Sequence, residues 1–395
     1  MKKYRIFLAI GGKATPVDKS NMWVRNLYDP LVSLGHDVHL LNIDEYVQQQ
    51  GWGYMTEQAR EGLSNELPRL FLKEHNKKPF DIFLSYLHNG QIIPSVLKEI
   101  KKEVYTINYS TNYHQFDMYK EVAGIVDCNI YISKVAKEGF DGIGVKSYWM
   151  PLGANPTFYK PSSIKNNNAV FVGSAYGPRS YLFWRLLQYG IDLELYGHGW
   201  VDYKEKKQQI YKENKLKQAA NRLLQSSIRH VLTRKIAEEI YGLEDEVRHK
   251  YQQINTAILS LMRRDYASHL HGSLTDELYV QTLAEAGTVI NIQESRFNHD
   301  YFDCRVLRCS NLRDYEATMC GSFLCTQYSD EIAELFDVGK EIVCYHNEHD
   351  LAEQIKYYNH HITEKEAIAK AGYNRSLQSH TWEKRFSIFF EFLNI

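Results

Sequence analysis

The sequence predicts an α/β protein built on two doubly wound parallel sheets. Three observations lead to this prediction. The chain has 395 residues, its first 150 residues alternate strand and helix patterns, and a second alternating series begins near residue 167. Single hydrophobic cores stop growing at about 250 to 300 residues, so a chain of this length is expected to form two domains. The strands carry few charges, as is typical of sheets covered by helices on both faces.

The first series starts with a complete βαβ unit. Residues 4–10 read as a buried strand, residues 22–35 as a helix ended by Gly35, and residues 36–43 as the next strand. A glycine pair at 11–12 follows the first strand, but no GxGxxG motif accompanies it, so a dinucleotide fingerprint is not predicted. Further strands are predicted at 81–88, 103–110 and 128–133.

The second series follows a polar stretch with three prolines, which places the domain boundary near residue 160. A strand, a glycine turn, a helix and another strand are then predicted between residues 169 and 200. We expect Gly173, Ser174 and Gly177 to expose backbone N–H groups at the start of the helix, with Arg179 able to reach a phosphate. The alternative is an ordinary turn between a strand and a helix.

The segment 311–326, NLRDYEATMCGSFLCT, predicts a nucleotide site at the start of a helix. Asn311 is the expected N-cap, with Asp314 completing a capping box, and Gly321 suits the left-handed residue that ends a helix. Arg313 and Glu316 then share one face of the helix. A guanidinium there can bind a diphosphate while the carboxylate accepts the hydroxyls of a ribose. The alternative is a surface ion pair.

Composition excludes several classes of protein. The net charge of −1 argues against a dedicated nucleic-acid binder, and the six cysteines form neither a CxxC pair nor a zinc pattern. No charged and then apolar leader opens the sequence, and no apolar run reaches 18 residues. The sequence therefore predicts a cytoplasmic protein without a transmembrane span.

A helical insertion is predicted at about residues 201–270. Its part 204–235 has ten Lys or Arg residues against two Glu, with apolar residues at helical spacing. One interpretation is a helical hairpin packed on its domain with solvated lysines. The other is an amphipathic helix that docks on a partner or on the inner face of a membrane, where the protein would be peripheral.

The motifs of the second series, taken in order, carry a family resemblance. They are VGSAYGPR, LELYGHGW, VINIQE, LRDYEATMCGSFLCT, EIVCYHNEHDLAEQIKYY and SHTWEKRF. Together they resemble the C-terminal half of GT-B glycosyltransferases, most of all the CgeB-like spore-maturation branch related to retaining family 4. The resemblance covers about residues 167–200 and 274–390.

The resemblance implies a GT-B architecture, in which two Rossmann-like doubly wound domains face each other across a cleft. The N-terminal, acceptor-side domain would span 1–160. The nucleotide-sugar-binding domain, with the helical insertion, would span 161–380, and the helix 381–395 would cross back to the first domain. The resemblance further implies a metal-independent transfer without a cofactor, in which arginines and helix dipoles stabilise the departing diphosphate.

Residues of the donor site are implied by the same resemblance. Glu316 matches the ribose-binding glutamate, Arg313 the arginine before it, and Arg179 the basic residue near the diphosphate. Family 4 enzymes have another glutamate eight positions upstream of the first, where this chain has Arg308.

Candidates for a general base come from loops after strands of the first domain. His88 is the first candidate, followed by His114 and Asp117, if the enzyme inverts the sugar configuration. The alternative for His88 is a substrate contact or a surface group, and a retaining enzyme needs no such base. The expected acceptor is a glycan, a lipid-linked molecule or a protein. Two other functions stay open, a sugar-nucleotide epimerase and a non-catalytic sugar-nucleotide-binding scaffold.

Overall fold

A computed structural model of the chain describes residues 2–11, 20, 22–111, 116–176, 179–201, 245–296 and 306–394. Six parallel strands form the first sheet in the order β2-β1-β3-β4-β5-β6. Their bounds are β1 Arg5–Ile10, β2 Asp37–Asn42, β3 Ile82–Tyr86, β4 Tyr105–Ser110, β5 Cys128–Tyr131 and β6 Ser147–Trp149.

The second sheet also has six parallel strands, in the order β14-β13-β10-β7-β8-β9. An antiparallel pair, β11 Glu294–Arg296 and β12 Val306–Arg308, lies outside this sheet. The bounds of the second sheet are β7 Ala169–Val172, β8 Leu193–Tyr196, β9 Leu270–His271, β10 Thr288–Asn291, β13 Leu324–Gln327 and β14 Val343–Tyr345. The predicted α/β fold with two doubly wound sheets is confirmed.

Helices connect the strands and cover the sheets. In the described part of the first half they are α1 Asp29–Ser33, α2 Ile43–Gln49, α3 Glu57–His75, α4 Leu97–Lys101, α5 Phe116–Ala123 and α6 Lys137–Gly142. In the second half they are α7 Arg179–Gln188, α8 Asp245–Asp265, α9 Asp276–Glu285, α10 Leu312–Met319, α11 Asp330–Leu335, α12 Glu348–His360, α13 Ile362–Ser379 and α14 Trp382–Leu393. The basic segment 204–235 lies outside the described residues.

Local signals at helix ends mostly have the predicted effect. Asn311 caps α10 through a complete capping box with Asp314, and Gly321 has a φ of +64° just after the helix. The single helix predicted at 22–35 is instead a π-helical turn, Val24–Tyr28, that continues into α1.

The two halves are packed against each other. One hydrophobic cluster contains residues of both sheets, among them Leu8 and Val170, together with Trp382 of α14. The end of α14 reaches the first half, where the ring of Phe390 lies 5.3 Å from that of Tyr4. The chain passes from the first sheet to the second between β6 and β7, a stretch that includes residue 160. The exact extent of each domain stays a prediction.

Hydrogen bonds and an ion pair also join the two halves near the facing edges of the sheets. The carboxylate of Glu331 accepts hydrogen bonds from the Ser133 hydroxyl at 2.8 Å and the Ser310 hydroxyl at 2.7 Å. On another side, Arg25 forms an ion pair with Asp276 at 2.7 Å. These contacts hold the carboxyl ends of the two sheets opposite each other.

Candidate functional site

A cleft of about 650 Å³ lies between the two halves. Many of its lining residues directly follow the carboxyl ends of parallel strands, which is where doubly wound sheets bind ligands. From the first half it is lined by Gly11, Ser20, Met22, Trp23, Asp44, Tyr54, Tyr86, His88, Gln91, Thr111, Tyr119 and Ile132. From the second half the lining includes Gly173, Ser174, Tyr176, Arg179, Gly197, His198, Ser273, Asp276, Tyr279, Gln293, Ser310, Asn311, Arg313 and Glu316.

Two guanidinium groups lie close to one aromatic ring in the second half. The Arg179 guanidinium lies 5.2 Å and the Arg313 guanidinium 5.1 Å from the ring centroid of Phe171. Arg313 donates to Asn291 Oδ1 at 3.1 Å, while its buried Nε has no hydrogen-bond partner among the described residues. Two positive groups beside a partly apolar surface favour an anionic ligand such as a diphosphate.

The turn after β7 differs from the prediction in its hydrogen bonds. The N–H of Gly173 does not face the cleft unpaired, because it donates to the carbonyl of Tyr196 at 2.8 Å as the pairing of β7 with β8 continues past the strand. Gly173 matters instead because it has no side chain. A Cβ at Gly173 would lie 2.8 Å from the Phe171 ring and 3.4 Å from Arg179 Nη1. Ser174 contributes its carbonyl, which accepts from Arg179 at 3.0 Å, and Gly177 lies outside the described residues.

Glu316 is buried at the floor of the cleft, with 2% of its surface exposed. One carboxylate oxygen accepts from the Tyr159 hydroxyl at 2.6 Å, and the other accepts from the Tyr279 hydroxyl. Burial raises the pKa of Glu316, and the two hydrogen bonds oppose this effect. The alternative of a surface ion pair with Arg313 is therefore wrong, because Glu316 is buried and both of its oxygens have tyrosine partners.

A buried polar network fixes the start of α10. Asp314 is fully buried and accepts from Asn291 at 2.6 Å, Thr326 at 2.7 Å and the Asn311 amide at 2.9 Å. The side chain of Asn311 caps Arg313 N and donates to a backbone carbonyl at 3.0 Å, so it is engaged within the protein although it lines the cleft. This network holds Arg313 at the carboxyl edge of the second sheet.

His88 lines the cleft from the first half, as its position after β3 predicts. Burial lowers the pKa of His88 to about 4, so the ring is neutral at pH 7. Its Nδ1 accepts from the Gly90 N–H at 3.2 Å, which leaves the ring proton on Nε2. A neutral ring with its proton on Nε2 can donate a hydrogen bond into the cleft but cannot accept a proton there, which favours the alternative of a substrate contact over a general base.

Of the other two candidates from the first half, Asp117 is not among the described residues that line the cleft. Asp117 lies on α5 with an exposed side chain, and its carbonyl accepts from Asn89 at 3.0 Å. His114 lies outside the described residues. Arg308, at the position of the family 4 glutamate, is exposed at the end of β12 and does not line the cleft.

Sequence reasoning missed several lining residues. Asp44 directly follows β2, so the rule that selected His88 after β3 would also have found Asp44. Tyr159 and Tyr279 carry no local signal, because their partner Glu316 is 157 and 37 positions away.

One group of described residues could hold a metal ion. Ligand atoms of Asp192, Glu194 and His269 lie within 4.8 Å of one another at the edge formed by β8 and β9. None of the three lines the cleft, so this group is separate from the candidate site. Along the described parts of the chain, no helix combines the length and the apolar character needed to cross a membrane.

Two facing parallel sheets with a ligand cleft at their carboxyl ends define the GT-B class of folds. Comparisons of this chain with known proteins agree with this class. A family model described as glycosyl transferase-like matches residues 229–391. The fold is similar to sucrose-phosphate synthase from Thermosynechococcus elongatus, with a TM-score of 0.59 at 12% identity, covering 99% of this chain and 98% of that one. The fold is also similar to that of HepE from Anabaena in complex with UDP-glucose, with a TM-score of 0.58 at 12% identity, covering 99% of both chains.

A glycosyltransferase from Rickettsia africae has a TM-score of 0.55 at 10% identity, covering 100% of this chain and 99% of that one. Among curated proteins, none matches the sequence. At these identities the similarity establishes the GT-B fold, which confirms the predicted architecture. The CgeB-like branch and the relation to family 4 stay predictions.

Proposed function

We propose that this protein is a glycosyltransferase that moves a sugar from a nucleoside diphosphate sugar to a hydroxyl group of an acceptor. The observation that carries the proposal is the placement of Arg179 and Arg313 beside Phe171, in the same cleft as the buried Glu316. The matching family model and the UDP-glucose bound to HepE support it.

The donor would lie in the second half of the cleft. Arg313 and Arg179 would bind the diphosphate, and its charge would be further stabilised at the start of α10. Glu316 would accept hydrogen bonds from the ribose, sharing its oxygens with Tyr159 and Tyr279, since each carboxylate oxygen can accept more than one hydrogen bond.

The protein would catalyse transfer by electrostatic stabilisation of the leaving diphosphate. The two guanidinium groups supply positive charge at the place where negative charge develops, so we propose that the reaction needs no metal. Closure of the cleft would exclude water, so that the acceptor hydroxyl reacts in preference to water. Transfer that continues in excess chelator would support the metal-independent mechanism, and loss that is restored by a divalent ion would contradict it.

Calorimetric titration with nucleoside diphosphates of different bases tests the donor site. We expect one of them to bind the wild type, and Arg313→Ala to weaken that binding. Arg69→Ala is a matched control, because this arginine is exposed on α3 and pairs only with Glu66 among the described residues. Failure of every nucleotide to bind would contradict the proposal.

The reaction is tested by measuring free nucleoside diphosphate released from nucleotide-sugars in the presence of hydroxyl acceptors. Release coupled to a glycosylated product supports a transferase. Binding without release would support the scaffold, and conversion of the sugar without release would support the epimerase. Flotation with anionic liposomes tests the predicted membrane contact through residues 204–235.

A further inference from the structure

We infer that the first half of the cleft is a subsite for a neutral carbohydrate, in which Asp44 accepts hydrogen bonds from the acceptor's hydroxyl groups. This inference rests on the proposed function, since it names the class of acceptor for the same cleft. It selects a carbohydrate from the three kinds of acceptor that the sequence leaves open.

The subsite is centred on Gly11, the residue that directly follows β1. Asp44 comes from the start of α2 and is 8% exposed, yet it lines the cleft. A Cβ added at Gly11 would lie 3.5 Å from both carboxylate oxygens of Asp44 and 3.2 Å from Gln91 Nε2. The backbone of Gly11 therefore lies next to an acceptor, the carboxylate of Asp44, and a donor, the amide of Gln91. Both side chains line the cleft.

Further polar groups surround this point. The Oε1 atom of Gln91 accepts from the His88 N–H at 3.3 Å, which orients the amide. The neutral His88 ring, whose Nδ1 accepts from Gly90, has its proton on Nε2 and can donate, and Thr111 adds a hydroxyl that is hydrogen-bonded to Tyr86. Donors and acceptors in mixed directions are what the hydroxyls of a sugar need, because each hydroxyl both donates and accepts.

Aromatic rings supply the apolar part of the subsite. Tyr54, Tyr86, Tyr119 and Trp23 line it, and the ring of Trp23 packs edge-on against that of Tyr86 at 5.1 Å. A mostly apolar wall with a few placed polar groups is the usual construction of a small-molecule site. Rings of this kind suit the apolar C–H faces of a sugar.

The charges favour a neutral ligand over a phosphorylated one. Among the described residues that line the first half, Asp44 is the charged group and neither lysine nor arginine occurs. The carboxylate would repel a phosphate, whereas the guanidinium groups of the cleft lie in the second half. A phosphorylated sugar and a lipid phosphate are therefore the competing acceptors that a test must include.

The experiment has two parts, and the first is independent of the donor. Saturation-transfer NMR measures binding of neutral hexoses and disaccharides to wild type and to Asp44→Asn. Binding by the wild type that the variant weakens supports the inference. Equal binding by both proteins, or none by either, overturns it, whatever the outcome for nucleotides.

The second part measures release of nucleoside diphosphate with neutral sugars, hexose 6-phosphates or undecaprenyl phosphate as acceptor. For neutral sugars we expect Asp44→Asn to raise the acceptor KM by about tenfold or more, since a hydrogen bond to a charged group is lost. The KM for the donor should stay within about twofold, because Asp44 lies in the other half of the cleft. Stimulation by phosphorylated acceptors alone, or an unchanged acceptor KM, overturns the inference.

Two other variants keep the test decisive. Gln91→Ala should also raise the acceptor KM, and it provides the test if Asp44→Asn does not fold. Asp141→Asn is the matched control, because this carboxylate is exposed on α6 and pairs with Lys137. Nucleotide binding that persists while the acceptor results fail would leave the proposed function intact and remove only this inference.

Discussion

Replacement of Tyr159 by phenylalanine should destabilise the protein through the buried carboxylate of Glu316. The Tyr159 hydroxyl donates to this carboxylate at 2.6 Å, and the two residues are 3% and 2% exposed. Without this donor, one oxygen of a buried carboxylate loses a charge-assisted hydrogen bond. Such bonds contribute about 1.5 to 3 kcal/mol, so the free energy of unfolding should fall by about that amount in Tyr159→Phe.

The loss should depend on pH. Burial raises the pKa of Glu316 above its unfolded value, so the free energy of unfolding falls as pH rises from the unfolded pKa through the folded pKa. The hydrogen bond from Tyr159 favours the ionised form and limits this rise. Its removal raises the folded pKa further, so the difference between wild type and variant should grow with pH. It should be smallest where the carboxyl group is protonated in both states.

Urea unfolding followed by tryptophan fluorescence at pH 5 and pH 8 measures both effects. Tyr109→Phe is the matched control, because the Tyr109 hydroxyl is buried and has no hydrogen-bond partner among the described residues. This control should change the free energy of unfolding little. An equal loss in the two variants, or a loss in Tyr159→Phe that is the same at both pH values, would refute the role assigned to the carboxylate.

Three other predictions concern the cleft. Arg313→Lys should weaken nucleoside diphosphate binding by about tenfold in calorimetry, because an ammonium keeps the charge but not the fork of donors; equal affinity would contradict this. Gly173→Ala should also weaken that binding, because its Cβ would lie 2.8 Å from the Phe171 ring and force a shift of this ring, beside which Arg179 and Arg313 lie; unchanged titration curves would show that the turn has room. His88→Gln should reduce the loss of stability that occurs as pH falls from 6.5 to 4, because His88, with a folded pKa of about 4, takes up a proton on unfolding in this range. Thermal unfolding across this pH range measures the effect. Parallel curves of stability against pH for wild type and variant would contradict it.

The parts of the site that sequence reasoning located are those with local causes. The capping box of Asn311 and Asp314 and the left-handed Gly321 arise from bonds and backbone angles within one helix, and all three have the predicted geometry. The spacing of Arg313 and Glu316 predicts that they share one face of that helix, and both residues line the cleft. The free N–H of Gly173 was predicted wrongly, because its partner Tyr196 belongs to a strand whose register the turn motif does not encode.

The surroundings of Glu316 were beyond prediction for the same reason. A carboxylate three residues after an arginine has the same local pattern on a surface and in a buried site. What distinguishes the two cases is the arrival of Tyr159 from the stretch between the sheets and of Tyr279 from α9. Burial and hydrogen bonding of a carboxylate depend on such distant partners, which periodicity and capping signals do not specify.

The sequence by itself determined the α/β class, the two series of strands and helices, and the helix that carries Arg313 and Glu316. Hydrophobic periodicity and end-capping act over a few residues, so they can be read along the chain. Only the tertiary structure decided that Asp44, His88 and Gln91 of the first sheet face Arg179, Arg313 and Glu316 of the second. Strand order and the packing of one sheet edge against another depend on contacts between distant segments, and those contacts bring the residues of the proposed donor and acceptor sides to one cleft.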